Sequence, residues 1–177
     1  MTHVYIGLGS NLGNPETQLT NALQALAELP STVLLASSSF YLSQPLGPQD
    51  QPPYLNAAAL LETGLAPLEL LDKMHAIENR QGRVRGDRRW HARTLDLDLL
   101  LYGTERLVQQ GLVVPHPEIP RRNFVLCPLA EIKHDLLIPG MGRVTDLLAA
   151  VGMDGLEKIK RCLKNGASPG KNVRQGS

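Results

Sequence analysis

"TLDLDLLLY", residues 94–102, is the stretch on which the fold turns. Side chains alternate across a strand, so residues two apart share a face. Read as a strand from Leu95 to Tyr102, it sets Leu95, Leu97 and Leu99 on one face and Asp96 and Asp98 on the other. The leucine row asks for a core behind it. The carboxylates, roughly 6.5–7 Å apart along the backbone, repel each other and are costly to half-bury unless a cation lies between them. Oxygen-only ligands suit a hard ion such as Mg²⁺. A strand with one wet face is the plain alternative, and the flanking sequence has to decide.

Immediately upstream, "RQGRVRGDRRWHAR", residues 80–93, carries six of the 12 arginines and one acid, Asp87. With two glycines and no apolar period it reads as a loop. Six guanidinium groups in one loop repel each other until an anion arrives, and arginine grips phosphate oxygens with a bidentate fork. A polyphosphate carrying Mg²⁺ satisfies both neighbours at once, which is the electrostatic layout of phosphoryl-type transfer. No G-x-x-x-x-G-K-[ST] occurs, which excludes a P-loop. Gly7, Gly9 and Gly13 in "GLGSNLG" miss the dinucleotide-binding spacing by one residue.

Working outward gives an alternation. Residues 3–9 read as a strand, and 15–29 as a helix with Leu19, Leu23, Leu26 and Ala27 on one face, capped by Asn14 or Asn11 with Pro15 in its first turn. Residues 32–41 form a strand, and "LSQPLGPQDQPP" a loop. Residues 54–62 resume a strand. Pro67 opens a helix with Leu68, Leu71, Met74 and Ile77 on one face. The strand at 95–102 completes β-α-β-β-α-β, an α+β, ferredoxin-like core. A short strand pair near 106–114 and helices at 124–132 and 144–151 follow.

At 177 residues and 42% hydrophobic, the chain is one domain with an ordinary core. Its apolar runs fall short of a membrane span, and "MTHVYIGLGS" lacks a leader pattern. Cys127 and Cys162 lack metal-ligand spacing, and Cys127 in "FVLCPLAEI" reads as a buried thiol, so a reduced, cytoplasmic protein is expected. Residues 158–177 hold six basic residues and no acid, which leaves 12 basic against 17 acidic residues in 1–157. The expected division is a single domain, 1–157, and a basic, disordered tail, 158–177. An RNA-binding module of the same fold needs a basic body and exposed aromatics on central strands; this body is acidic and sets Asp96 and Asp98 there, so no nucleic acid is expected. A Mg²⁺-dependent nuclease needs a further metal carboxylate, and no third acid stands in comparable context.

Five segments carry a resemblance: "YIGLGSNLGNP" (5–15), "FYLSQPLGPQDQPPYLNAA" (40–58), "IENRQGRVR" (77–85), "RWHARTLDLDLLLYG" (89–103) and "VPHPEIPRRNFVLCPLAEI" (114–132). In order and spacing they resemble the 6-hydroxymethyl-7,8-dihydropterin pyrophosphokinases of folate biosynthesis. The resemblance implies the ferredoxin-like fold, ATP as co-substrate, two Mg²⁺, and transfer of pyrophosphate to the pterin hydroxymethyl group with release of AMP. It implies ATP and the pterin as partners, and a monomer. Asp96 and Asp98 match the metal ligands, and with Arg83 and Arg93 they match the catalytic set. Ser43, Leu46, Tyr54, Asn56, Trp90 and Phe124 match the pterin pocket. Glu78, Arg85, Trp90, Arg93, Leu99, His116 and Arg122 match the ATP site. Two flat rings can sandwich a bicyclic ring and an amide can pair with its edge. The loops at 43–53 and 82–93 are candidate lids. Gln44, His75, Gly111, Val113 and Pro117 depart from the family pattern and bear on adenosine recognition.

Overall fold

The strand on which the reading turned is β5, Asp96–Tyr102. A computed structural model describes residues 1–44, 51–82 and 95–160, apart from the side chain of Lys160. Before β5 come β1 (Thr2–Ser10), α1 (Pro15–Ala27), β2 (Thr32–Ser37), β3 (Phe40–Ser43), β4 (Tyr54–Thr63) and α2 (Pro67–Arg80). After it come β6 (Leu107–Gln109), β7 (Leu112–Val114), a 3-10 turn (Ile119–Arg121), α3 (Asn123–Ile132), β8 (Leu137–Ile138), β9 (Gly142–Arg143), α4 (Val144–Val151) and β10 (Leu156–Lys160). The main sheet is antiparallel in the order β10-β3-β4-β1-β5, with β2 also on β4.

The pattern made most of these elements legible. Asn14 caps α1 by accepting the Thr17 N–H at 3.2 Å, and Pro15 stands in the first turn. Leu19, Ala22, Leu23 and Leu26 face the sheet, so Ala22 rather than Ala27 completes the stripe. In α2 the buried residues are Leu70, Met74, Ile77 and Glu78, and Leu68 is exposed. The expected face, 68-71-74-77, steps by threes. At 3.6 residues per turn it drifts back about 60° each step, which sets Leu68 opposite Ile77.

The expected strand at 32–41 is two strands. β2 pairs with the end of β4 and β3 with its start. Between them Ser38 grips β4 twice: its N–H donates to the Ala58 carbonyl at 2.9 Å, and its Oγ accepts the Ala58 N–H at 2.9 Å. A serine hydroxyl standing in for a carbonyl is the local competition that interrupts a ladder. β8 and β9 were not expected. β10 pairs with β3 at the sheet edge, so the boundary expected after residue 157 falls inside a strand that runs on to Lys160.

Each face of the sheet has its own core. α1 and α2 cover one, packing on Val4, Ile6 and Leu8 of β1 and on Leu97 and Leu99 of β5, with Leu95 just before it. α3 and α4 cover part of the other, over Tyr5, Ala58, Leu100 and Leu101. A register shift between Tyr5 and Ile6 sends both Leu100 and Leu101 to that second face. Among the described residues the second face is covered only in part, and the part left uncovered by them is the site.

Candidate active site

The cross-strand register lays out the floor. Tyr41, Asn56, Gly9 and Asp96 stand opposite one another across β3, β4, β1 and β5, and Ala58, Gly7 and Asp98 form the next row. Directly paired residues share a face. Asp96 and Asp98 therefore do point together, away from the leucines, both half-buried. Gly7 and Gly9 contribute no side chain between the carboxylates and β4. A Cβ on Gly9 would lie 3.6 Å from Asn56 Oδ1. The result is a cleft of about 570 Å³.

Eight of the expected site residues line it: Ser43, Tyr54, Asn56, Asp96, Asp98, His116, Arg122 and Phe124. Leu99 does not. It is buried in the core on the α1/α2 side, as alternation from Asp98 requires. Nor does Glu78, which is buried on α2 and accepts the Leu97 N–H at 3.1 Å through Oε2. That carboxylate holds the backbone between the two aspartates from behind. Arg83, Arg85, Trp90, Arg93 and Leu46 lie outside the described residues, as do most of the two candidate lids. Sequence reading missed Gln51 and Glu118, which also line the cleft. No pattern marks either one; only the fold brings them in.

Asn56 is committed on one side. Its amide NH₂ donates to Ser43 Oγ at 2.7 Å, the Tyr41 carbonyl at 3.2 Å and the Tyr54 carbonyl at 3.3 Å. Oδ1 is left as the atom over Gly9, so Asn56 offers the cleft an acceptor. Ser43, which accepts that bond, keeps its own hydroxyl hydrogen to donate. Tyr54 and Phe124 are half-buried at this end of the cleft, not sealed in the core. The Arg122 guanidinium lies 5.7 Å from the centroid of the Phe124 ring, within cation–π range.

His116 is fixed by its backbone and its ring. Its N–H donates to the carbonyl of Leu100 at 2.9 Å, at the irregularity in β5. Its Nδ1 accepts the Glu118 N–H at 3.2 Å, which assigns the proton of the neutral ring to Nε2. Burial, and then the Arg122 charge, push its pKa down, against smaller upward pulls from Glu118 and Asp96. The ring is thus held neutral with an Nε2–H donor. The departures at Gly111 and Val113 lie in the β6–β7 hairpin. Gly111 there takes φ 79°, which only glycine adopts freely, and Val113 is exposed. Cys127, expected to be buried, is half-buried on α3.

The donor set bears on metal. Asp96 and Asp98 bring carboxylate oxygens to one side of the cleft, and among the described residues no group of three acids, histidines or cysteines is close enough to hold an ion. Two carboxylates without a closed cage fit Mg²⁺, which keeps waters and takes substrate phosphate oxygens. Glu118 is a third acid in the cleft, but it is not grouped with the pair and lies 3.9 Å from Arg121. A nuclease-type metal site gains nothing from it.

Known proteins of one family resemble this chain. The family model 7,8-dihydro-6-hydroxymethylpterin-pyrophosphokinase (HPPK) matches residues 5–134. The 2-amino-4-hydroxy-6-hydroxymethyldihydropteridine pyrophosphokinase of Haemophilus influenzae is 53% identical over 148 residues, covering 84% of this chain and 92% of the relative. The Pseudomonas aeruginosa protein of the same name is 51% identical over 156 residues, covering 88% and 96%. Among solved structures, Plasmodium falciparum HPPK-DHPS with pteroate superposes with a TM-score of 0.71 at 11% identity, a likeness of fold, over 92% of this chain. This chain spans about half of that one, 47% of its length. No helix among the described residues is long and apolar enough to cross a membrane. With just over half of the aligned residues identical to those of bacterial relatives, over nearly the relatives' full length, the chain belongs to the HPPK family.

Proposed function

We infer that the chain transfers the β,γ-pyrophosphoryl group of ATP to 6-hydroxymethyl-7,8-dihydropterin, releasing AMP, as a step of folate biosynthesis. The observation that carries this reading is one cleft with two ends. Asp96 and Asp98 stand at one, and Asn56, Ser43, Tyr54 and Phe124 stand at the other, with Gly7 and Gly9 of β1 on the floor between β5 and β4. A phosphate chain held at the acidic end meets a ring held at the polar–aromatic end.

The ring enters between Tyr54 and Phe124, whose flat faces suit a bicyclic heterocycle. Asn56 Oδ1 accepts from a ring N–H or amino group, and the Ser43 hydroxyl donates to a ring acceptor. The hydroxymethyl oxygen attacks the β-phosphorus as the bond from that phosphorus to the α-bridging oxygen breaks. AMP leaves with that oxygen, and the hydroxyl proton is released. Asp96 and Asp98 would hold two Mg²⁺, which would supply charge neutralisation on the phosphates and would lower the pKa of the attacking hydroxyl. His116 donates its Nε2–H to a phosphate oxygen, and Arg122 leaves the Phe124 face for the nucleotide. Arg83 and Arg93 neutralise the moving group, Arg85 and Trp90 bind the nucleotide, and Leu46 and Trp90 complete the pterin side. Glu78 and Leu99 serve the site from behind the sheet. The enzyme works as a cytoplasmic monomer.

The test is conversion of ATP to AMP with Mg²⁺, with and without 6-hydroxymethyl-7,8-dihydropterin. AMP should form only with the pterin. Asp98→Ala should abolish it without lowering Tm, because a repulsion within the Asp96–Asp98 pair has been relieved. Pterin-independent release of AMP would overturn the reading.

A further inference from the structure

We propose that Glu131, on the far side of the sheet edge from Asp96 and Asp98, is a positioning residue for the ring-binding end of the cleft. It touches neither cleft nor core centre. It stands in the last turn of α3, where the helix dipole disfavours a carboxylate. Something else must hold it there. Its Oε1 accepts the Ser39 N–H at 3.0 Å and the Ser39 hydroxyl at 2.5 Å. Its Oε2 accepts the Tyr41 hydroxyl, and Lys158 of β10 brings its ammonium to 3.8 Å of Oε1. Four groups from three segments converge on one carboxylate.

What it joins is specific. Ser39 sits in the break between β2 and β3, where Ser38 holds β4. Tyr41 is two residues from Ser43, and its carbonyl is one of the three oxygens that turn the Asn56 amide. On the helix, Glu131 lies seven residues after Phe124. Seven residues make nearly two whole turns, so both lie on one face, about 10 Å apart along the axis. One wall of the ring pocket is β3–β4, with Ser43, Tyr54 and Asn56. The other is α3, with Phe124. Glu131 pins the second wall to the first and sets the gap that Phe124 closes. Burial alone would push its pKa up. The bonds from Ser39 and Tyr41 and the Lys158 charge outweigh that and bring it down, so the clamp is ionised at neutral pH.

This inference rests on the pyrophosphokinase reading, and its test separates the two. Affinity for 6-hydroxymethyl-7,8-dihydropterin is measured by calorimetry on the full chain with Mg²⁺ and a non-hydrolysable ATP analogue. Wild type that does not bind the pterin overturns the functional reading. Given wild-type binding, Glu131→Ala should bind pterin roughly ten- to a hundredfold more weakly, by analogy with the loss seen when the groups that orient metal ligands are removed. Affinity for the ATP analogue should stay within about twofold, which also reports a folded cleft. Tyr41→Phe keeps the ring packed and removes only the hydroxyl, so it stands in should Glu131→Ala fail to fold. Glu131→Gln, which keeps an oxygen for Ser39, should recover part of the loss. Unchanged pterin affinity in folded Glu131→Ala or Tyr41→Phe, or equal loss of pterin and nucleotide, overturns the proposal.

Discussion

Gly9 shows how much a missing side chain does here. Its backbone is not in the left-handed region, and a Cβ would make only ordinary contacts, at 3.6 Å to Asn56 Oδ1 and 4.0 Å to the Leu55 carbonyl. The glycine is therefore not required by the chain's conformation. Gly9→Ala should hold or slightly raise Tm, since alanine narrows the unfolded ensemble by about 0.4–1 kcal/mol. It should nonetheless weaken pterin binding, because the methyl stands over the cleft floor between Asn56 and Asp96. A fall in Tm with intact binding would show that its smallness serves packing. His116 and Glu131 make a second residue-scale prediction, about acid. The His116 pKa is lowered on folding, so its contribution to stability is complete above the ordinary histidine value of about 6.5 and is lost below it, as pH falls through the lowered value of the folded state. The Glu131 pKa is also lowered, so its share persists until pH falls through the carboxylate range. Tm plotted against pH should thus decline in two steps on acidification. His116→Gln should remove the upper step and leave the lower.

Among the elements, β10 is the one whose role is open to a simple cut. It covers the edge of β3 and carries Lys158 to Glu131. A chain ending after Lys160 keeps the strand, and one ending after Gly155 loses it. Only the shorter chain should lose Tm, and it should lose pterin affinity more than nucleotide affinity. Equal Tm for the two would mean that β10 adds nothing. That strand also shows what the sequence hid. "LEKIK" opens a basic run whose charge masks its alternation, whereas α1 and the first half of β5 announced themselves through clear apolar periods, and α2 through its length and the proline that opens it. The break at Ser38 carries no glycine or proline, because a side-chain hydroxyl makes it, and only β4 reveals the bond. Asp96 and Asp98 were legible because two acids in a leucine strand are expensive. Gln51 and Glu118 were not, because polar residues among prolines cost nothing until the fold carries them to a cleft. Glu131 looked like an ordinary polar position near a helix end; its hydrogen-bond partners Tyr41 and Ser39 are 90 and 92 residues away.

At the scale of the whole molecule, the described cleft sets three acids, Asp96, Asp98 and Glu118, against one guanidinium, Arg122. The acidic pair repels a bare polyphosphate and attracts its Mg²⁺ complex. We expect calorimetry to find ATP-analogue binding with Mg²⁺ and little without it. Pterin affinity should rise once the nucleotide complex is in place, and by reciprocity nucleotide affinity should rise by the same factor with pterin. Identical pterin affinity with and without the analogue would remove the coupling. The buried Glu78 has a meaning at this scale too. β5 ends the sheet, and a leucine-rich terminal strand is a template on which a second chain can pair and aggregate. Glu78 occupies the Leu97 N–H, and the His116 N–H occupies the Leu100 carbonyl. On the opposite margin, β10 presents Glu157 and Lys158. The contacts that steady the aspartate strand from behind thus also deny a neighbouring molecule two of the hydrogen bonds it would need to add a strand, so solubility in a crowded cell and the shape of the active site are guarded by the same bonds.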